Sequence, residues 1–398
     1  MKVACIGNMN NNFFALTRYL RDNGINTTLF LLGNEPDHFH PSADAFDQAY
    51  EGYTRYLDWK NPRFFFRKTK REILSVIGDY DFIIGCGATP AFLQKARRRL
   101  DIFAPYGSDL YDEPFIKWDS PRSILLTGYV LSQRFGIRNA RYINIDTYIH
   151  HYADAIRKLG YRGQVLNFTQ PMLYLPQYDP AHIPEYLERS MWGRQFLAIR
   201  AAHDLVVFHH ARHIWKHSPN VVSWKGNDKL VRGFAAFMKK HKGVKGILVM
   251  IEYGTDVRET KRLVHALGID GYVAWFPQMP RKEIMLGISL CDIGTGDFSL
   301  GSLLGGVNYE VLAMGKPFMH YCNIESYRDS PIPLYPMMNV CDEVDIENSL
   351  FDYLSRPEFY QGMGAEGRLW LQERCIDYPV KEYLRIMREK TPSACQNR

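Results

Sequence analysis

The sequence predicts an α/β fold in two halves, each a parallel sheet wound with helices, and three observations carry that prediction. Short apolar runs rich in Val, Ile, Leu and Phe alternate with helical patterns, as parallel strands buried on both faces require. The alternation occurs twice, on either side of a proline-rich stretch, Leu175-Pro-Gln-Tyr-Asp-Pro-Ala-His-Ile-Pro184, that reads as a linker. The length of 398 residues also exceeds the roughly 250–300 at which a single core stops growing. The expected division is therefore 1–190, 191–375, and a C-terminal helix over 376–398 of the kind that commonly crosses back to the first half.

The first series opens with a strand Lys2–Ile6, a polar loop Gly7–Asn12, an amphipathic helix Phe13–Asn23 and a second strand Thr27–Leu32. The loop has no G-x-G-x-x-G, so the dinucleotide fingerprint is missing and nicotinamide or flavin chemistry is disfavoured. An irregular, His- and aromatic-rich stretch fills 38–66. The pattern resumes with a strand Asp81–Gly85, a basic helix around Phe92–Leu100 and a strand Ile102–Tyr106. A strand Arg141–Ile145, a helix near Thr147–Leu159 and a strand Gln164–Phe168 complete the half. The second series runs strand Asp204–His210, helix Asn227–Lys240, strand Lys245–Glu252, helix Val257–Leu267, strand Tyr272–Phe276 and helix Arg281–Leu290. It ends with a strand beginning at Asp292-Ile-Gly294, a helix from Gly306 to Met314 and a strand Pro317–Tyr321, and Tyr360–Lys390 is largely helical. Ligands of such sheets bind at the carboxyl ends of strands beside helix N-termini, so with two sheets the cleft between them is the expected site.

Composition excludes several classes. Hydrophobic residues at 46% and charged residues at 23% are the balance of a globular protein rather than a disordered or fibrous one. No apolar run reaches the ~18 residues of a membrane span, and Met1 leads directly into a strand without a signal-peptide pattern, so a cytoplasmic protein is expected. Seven scattered cysteines with no C-x-x-C argue against a disulfide framework and a thiolate zinc site. The net charge of +6 is explained by a solvated surface or by anionic partners such as phospholipid headgroups, nucleotides or nucleic acid. His38, His40 and the pair His150-His151 have no acidic companions at ligand spacing and read as packed or surface histidines. A D-x-D at Asp79-Tyr80-Asp81 precedes its strand, on the sheet edge opposite the expected ligand site, so no metal site is read there.

Two stretches carry chemistry. The first is Phe208-His209-His210-Ala211-Arg212-His213 at a strand end, with Trp224-Lys225-Gly226-Asn227-Asp228 opening the next helix. Arg212 and Lys225 at one carboxyl edge form a two-cation clamp suited to a diphosphate; alternatively both are surface cations. The second is Asp297-Phe-Ser-Leu-Gly-Ser302 through Gly305-Gly306-Val307-Asn308-Tyr309-Glu310. Glycines at a helix start let backbone N–H groups approach an anion, and Glu310, one turn in, can accept from sugar hydroxyls; the plain alternatives are a tight turn and an exposed carboxylate. In the first half, Asp109 in Tyr106-Gly107-Ser108-Asp109 either orients or deprotonates an acceptor hydroxyl or caps a helix. The loop with Asn10 and Asn11 either faces phosphate or acceptor or is a plain βα turn.

Together and in this order the two stretches resemble the retaining GT-B glycosyltransferases of the family 4 type, whose second domain pairs an Arg–Lys clamp with a Glu-x7-Glu region ending in E-A-x-x-x-G-x-P. The matching run is Glu310-Val-Leu-Ala-Met-Gly-Lys-Pro317, with Val311 in place of the family's Ala, and Lys225-Gly226-Asn227-Asp228 matches a K-G-x-D helix start. The match covers most of residues 203–320. It implies a GT-B architecture of two doubly wound, Rossmann-like domains facing across a cleft, acceptor-side first and donor-binding second. It places Arg212 and Lys225 on the donor diphosphate, Glu310 on the ribose, and the backbone of Gly305, Gly306, Val307 and Asn308 against the sugar and phosphate. The strand end holding Phe276 and Met279 falls where relatives hold the nucleobase through backbone groups, or is simply a strand stopping at a proline turn. Two further departures are an insertion, Ile214–Ser223, between Arg212 and Lys225, and Ser302 at the position of the first Glu, for which Asp297 is the nearby substitute.

The implied activity is metal-independent, cofactor-free, retaining transfer of a hexose from a nucleotide diphosphate sugar to a hydroxyl of a glycan, glycolipid or protein-linked acceptor, as in polysaccharide biosynthesis. Nucleic acid is not an expected partner. Basic aromatic runs, Arg63–Arg71 and Lys95–Arg99, suit an anionic membrane surface beside a lipid-linked acceptor, and equally read as solvated helix faces. A nonhydrolysing sugar-nucleotide epimerase and a catalytically silent nucleotide-sugar-binding protein are the alternatives.

Overall fold

The structure is a computed structural model that describes residues 1–33, 36–59, 62–116, 121–145, 150–220, 223–328, 330 and 332–390. It divides into two compact units, Met1–Tyr174 with Arg374–Arg398, and Leu175–Glu373. The boundary thus falls earlier than the sequence suggested. The proline-rich stretch is a 3-10 turn, Leu175–Tyr178, followed by a helix, Ile183–Arg189, which packs on the helices Gly193–Ala202 and Arg281–Ser289 of the second unit. The chain rejoins the first unit at Arg374, where the helix Tyr378–Lys390 lies on the sheet. There the Tyr383 hydroxyl donates to Gln170 Oε1 at 2.6 Å and Lys390 Nζ reaches Asp101 Oδ1 at 2.6 Å.

In the first unit the described strands are β1 Lys2–Ile6, β2 Asn26–Leu32, β3 Thr54–Leu57, β4 Phe82–Gly85, β5 Ile102–Phe103, β6 Tyr142–Asn144 and β7 Gln164–Leu166. They pair in parallel in the order β3-β2-β1-β4-β5-β6-β7. Both faces of β1 are buried, Ala4 and Ile6 in one core and Val3 and Cys5 in the other, which is why it reads as an unbroken apolar run. The second unit repeats the plan with β8 Leu205–His209, β9 Gly246–Glu252, β10 Val273–Pro277, β11 Ile293–Thr295, β12 Phe318–His320 and β13 Met338–Asn339. Its order is β10-β9-β8-β11-β12-β13, again parallel. Strand order therefore reverses between β1 and β4 in one sheet and between β8 and β11 in the other, the places where open α/β sheets bind ligands.

Several elements differ from the sequence reading. The stretch read as irregular contains β3 and the helix Pro62–Arg67, and the helix Pro121–Asn139 was not anticipated. The helix read as Phe92–Leu100 is Thr89–Ala96, because Arg97 turns into the left-handed region at φ 56° and ends it. The helix expected near Thr147 begins at His150; residues 146–149 and the side chains of His150 and His151 lie outside the described residues, as does Cys395. Among the described residues no helix is long and apolar enough to cross a membrane.

Candidate donor edge and the carboxyl ends of both sheets

The carboxyl edge of the second sheet is assembled by side chains that link strand ends. β8 ends in His209, fully buried, whose Nδ1 lies 2.7 Å from Thr295 Oγ1 at the end of β11 and whose Nε2 lies 2.8 Å from Asn227 Nδ2. Thr295 in turn donates to the Phe208 carbonyl at 3.1 Å, which fixes Nδ1–H as the donor and leaves Nε2 to accept from the amide. Burial, reinforced by His213 and His210, holds the His209 imidazole neutral, well below its ordinary value. Asn227 opens the helix Asn227–Lys240, and its Oδ1 accepts from the Ile214 amide at 3.1 Å while the Lys225 amide donates to the Ile214 carbonyl at 2.6 Å. Gly226 precedes the helix at φ 63°, and a Cβ there would sit 2.8 Å from Ser299 Oγ and 3.0 Å from Phe298 Cβ, so only glycine fits.

These links bring Arg212, Lys225, Asp297 and Glu310 onto one hydrogen-bonded edge. Arg212 is exposed and has no hydrogen-bond or ion-pair partner among the described residues. Lys225 is not free: its Nζ pairs with Asp297 Oδ2 at 2.7 Å, both side chains about one-fifth exposed. Asp297 Oδ1 meanwhile accepts the Ser299 and Leu300 amides at 2.7 and 3.2 Å. Asp297, expected to stand in for the missing first Glu, is therefore committed to Lys225 and its own turn, while Ser302 is exposed. The insertion after Arg212 is anchored by Asp256, whose Oδ2 accepts the amides of Trp215, Lys216 and His217 at 2.7, 2.8 and 3.3 Å.

Glu310 corrects both sequence readings at once, being neither an exposed carboxylate nor an open acceptor. It is buried, with Oε2 at 2.7 Å from His210 Nε2 and Oε1 at 2.7 Å from Arg281 Nε. Burial pushes its carboxyl up, but the His210 hydrogen bond and the Arg281 charge outweigh that and hold it below the ordinary carboxylate value. His210 Nδ1 is buried with no hydrogen-bond partner among the described residues. Neither His210 nor Arg281 was singled out from sequence; the paired histidines at a strand end were the only signal, and nothing marked Arg281.

The helix that carries Glu310 is Gly306–Ala313, preceded by Gly305 in an extended conformation. Neither glycine has a positive φ, and a Cβ on Gly306 would meet nothing within 4 Å, so the tight-turn explanation fails. No side chain caps this helix; the Asn308 and Tyr309 amides donate to the Gly305 carbonyl at 3.0 and 3.2 Å, which leaves the Gly306 and Val307 amides without a hydrogen-bond partner among the described residues. Asn308 uses its side chain structurally, donating to the Leu303 carbonyl at 3.0 Å and the Tyr335 hydroxyl at 2.9 Å, while Val307 is half-buried. Phe276 is buried against Trp192 and Phe196, with ring centroids 5.6 and 4.8 Å away, and Met279 is buried, so neither side chain is open to a ligand.

The first unit revises its own candidates. Asp109 is fully buried; Oδ2 accepts the Gly87 amide at 2.8 Å, and Oδ1 accepts those of Gly107 and Tyr106 at 3.0 and 3.1 Å. It clasps the loops after β4 and β5 and offers no free oxygen to an acceptor; nor is it the N-cap of the helix Ser108–Tyr111, which is Gly107. Burial pushes its carboxyl up to about 7. Asn11 is likewise engaged, taking Asn8 Nδ2 on its Oδ1 at 2.7 Å and donating to the His38 carbonyl at 3.1 Å. Asn10 is half-buried at φ 50°. Asp81 of the D-x-D accepts the Lys2 amide at 2.7 Å at the amino end of β4.

No family model and no curated protein matches the chain. Solved structures do match along its whole length. A glycosyltransferase from Rickettsia africae is 13% identical over 99% of both chains with a TM-score of 0.62. HepE of Anabaena in complex with UDP-glucose is 15% identical over 97% of this chain and 99% of its own, TM-score 0.60. UDP-GlcNAc 2-epimerase of Neisseria meningitidis bound to UDP-GlcNAc is 12% identical over 98% and 100%, TM-score 0.56. Two doubly wound parallel sheets in that shared arrangement of strands and helices give this chain the GT-B fold.

Proposed function

We propose that the chain is a glycosyltransferase of the hexosyl-transferring kind that takes a UDP-sugar and delivers its sugar, with retention and without a metal, to an acceptor hydroxyl. The observation that carries this reading is the carboxyl edge of the second sheet, which bears Arg212 without an ion-pair partner among the described residues, the Lys225 segment and the uncapped N-terminus of Gly306–Ala313. Cations and open amides at one edge suit a diphosphate. Solved structures of this fold hold UDP or UDP-glucose.

As the bond from the sugar's anomeric carbon to the diphosphate oxygen breaks, the electron pair leaves with UDP and positive charge develops on the sugar; the acceptor oxygen then bonds to that carbon, and its proton passes to the departing diphosphate. Arg212 and Lys225 stabilise the departing diphosphate, and removing one such preorganised group costs about 10²–10³ in rate. The buried Arg281–Glu310–His210 chain ties the helix Gly306–Ala313 to the end of β8 and to the helix Arg281–Ser289, so Glu310 positions this edge and is not itself assigned to the ribose. We assign the protein to the cytoplasm, with a glycan or lipid-linked acceptor of polysaccharide biosynthesis. The exposed Arg63, Phe66, Arg67 and Lys70 suit contact with an anionic membrane.

The test is thermal stabilisation and turnover with UDP-, GDP-, ADP- and CMP-sugars in EDTA, for the wild type and Arg212→Ala. A UDP-sugar should raise the melting temperature and be consumed, with Arg212→Ala losing about 10²-fold or more in kcat/KM. Its own melting temperature should stay close to that of the wild type, since Arg212 is exposed and makes no hydrogen bond or ion pair among the described residues. Intact turnover in Arg212→Ala would remove the clamp, and release of an epimerised UDP-sugar without acceptor would replace transfer by epimerisation.

A further inference from the structure

The first sheet has its own switch point between β1 and β4, and a cavity of roughly 290 Å³ opens there. It is formed by residues following β1, β2, β4 and β5, all within the first unit. One wall is apolar, made by Met9, Leu32, Pro36 and Phe39. The other carries Tyr106, Tyr129 and Glu113. Among its described lining residues there is no Lys, Arg or His.

The carboxylate on this cavity is Glu113 rather than Asp109. Asp109 uses both oxygens on three backbone amides, and in doing so holds Gly87 and Tyr106 in place as parts of the wall. Glu113, one turn further along the chain, accepts from Ser108 Oγ on Oε1 at a long 3.4 Å, and its Oε2 has no partner among the described residues. Burial raises the Glu113 carboxyl above its ordinary value, as expected of a group facing a partly dry pocket.

We propose that this cavity binds the acceptor as an uncharged, hydroxyl-bearing molecule with an apolar or aromatic face, Glu113 receiving a hydrogen bond from its hydroxyl. The inference rests on the glycosyltransferase reading above for the word acceptor, but the binding chemistry stands on the cavity. A phosphorylated ligand would bring like charge to Glu113 with no cation to offset it. The aromatic rings and aliphatic wall suit the C–H face of a sugar or an aryl group, with the carboxylate fixing one hydroxyl. The volume lies at the low end of the ~300–1,000 Å³ of small-molecule pockets, so it holds a single sugar-sized ring, such as the terminal residue of a longer acceptor.

The experiment is calorimetric titration of the full chain, without nucleotide sugar, using 4-nitrophenyl β-D-glucopyranoside as the neutral probe and glucose 6-phosphate as the charged one. The neutral probe should bind at least about tenfold tighter than the phosphate. Glu113→Gln should weaken it by about 10-fold to 100-fold, the worth of a hydrogen bond to a charged group. If Glu113→Gln does not fold, Tyr106→Ala serves in its place and should also weaken the neutral probe, because it removes one ring from the wall. Preference for glucose 6-phosphate, no binding of the neutral probe at millimolar concentration, or unchanged affinity in the folded variant would overturn the proposal. A parallel titration with UDP-glucose separates the two readings. Glu113-dependent binding of the neutral probe in a protein that binds no UDP-sugar would retain the site and discard the transferase.

Discussion

Glu310→Gln isolates the buried charge chain at the donor edge, because it keeps the shape of the side chain and removes its charge. In the native protein Arg281 and Glu310 neutralise one another with side chains 11% and 10% exposed, and His210, at 2%, adds a second hydrogen bond. Removing one member of such a buried pair leaves the other unpaired, which costs about 3–5 kcal/mol. For a unit the size of Leu175–Glu373, each kcal/mol moves the melting temperature by about 2–4 °C, so Glu310→Gln should melt roughly 6–20 °C lower at pH 7. Glu310→Gln combined with Arg281→Met should recover at least half of that loss, because no buried charge is then left without a partner. The pH dependence gives an independent reading. The folded carboxyl lies below the ordinary 4.5, so its stabilisation is complete above about pH 4.5 and disappears as pH falls through the depressed folded value. The melting-temperature gap between wild type and Glu310→Gln, followed by calorimetry from pH 7 to pH 3, should therefore be constant at first and close below pH 4.5. A loss under about 1 kcal/mol at pH 7, or a double variant as unstable as the two single variants summed, would refute the argument.

Gly226→Ala should destabilise the second unit by about 1–3 kcal/mol, since the new Cβ meets Phe298 and Ser299 in a left-handed backbone, and thermal unfolding would show it as a lowered midpoint with no change at a neutral control such as Gly243→Ala. Asp109 has a folded value of about 7 against 3.8, so the folded state holds its proton more tightly. The associated stability is complete below about pH 3.8 and is lost as pH rises through 7. Denaturant titrations should show the wild type weakening by a few kcal/mol over that window, with the slope absent in Asp109→Asn.

Much of the fold was legible because parallel strands buried on both faces need unbroken apolar runs, and Leu205–His209 and Gly246–Glu252 have them. The helix Asn227–Lys240 was bounded correctly because a glycine and a polar pair announce its start. Pro121–Asn139 escaped because its pattern is inverted: Gln133 is fully buried, donating to the Gly87 carbonyl at 2.8 Å and accepting the Ala91 amide at 3.0 Å, while Leu125, Leu131 and Phe135 are exposed. A buried amide that spends its polar atoms on backbone looks in sequence like a solvent-facing residue. The candidate site was legible in residue type but not in partnership. Glu310 meets His210 across 100 positions and Arg281 across 29, Lys225 meets Asp297 across 72, and no local pattern encodes pairs of that separation.

Those pairings decide which groups remain to act on a ligand. The carboxyl edge of the second sheet draws three cations from sequence and structure, Arg212, Lys225 and Arg281, but Arg281 is spent on Glu310 and Lys225 on Asp297 at 2.7 Å. A diphosphate bound as proposed would have to share or displace Asp297 to gain Lys225, whereas Arg212 has no internal competitor among the described residues. The two residues of the clamp are therefore not equivalent. Under the proposed function Arg212 would contribute its charge to the ligand alone, while the contribution of Lys225 would be offset by the ion pair that it gives up. The first-unit cavity has the opposite character, a carboxylate with one open oxygen and no described cation in its walls. On the two proposals, an anionic leaving group and an uncharged hydroxyl would thus find complementary surroundings in different units of the same chain. That division follows from which side chains each sheet edge leaves unpaired, and no catalytic motif has to be invoked for it.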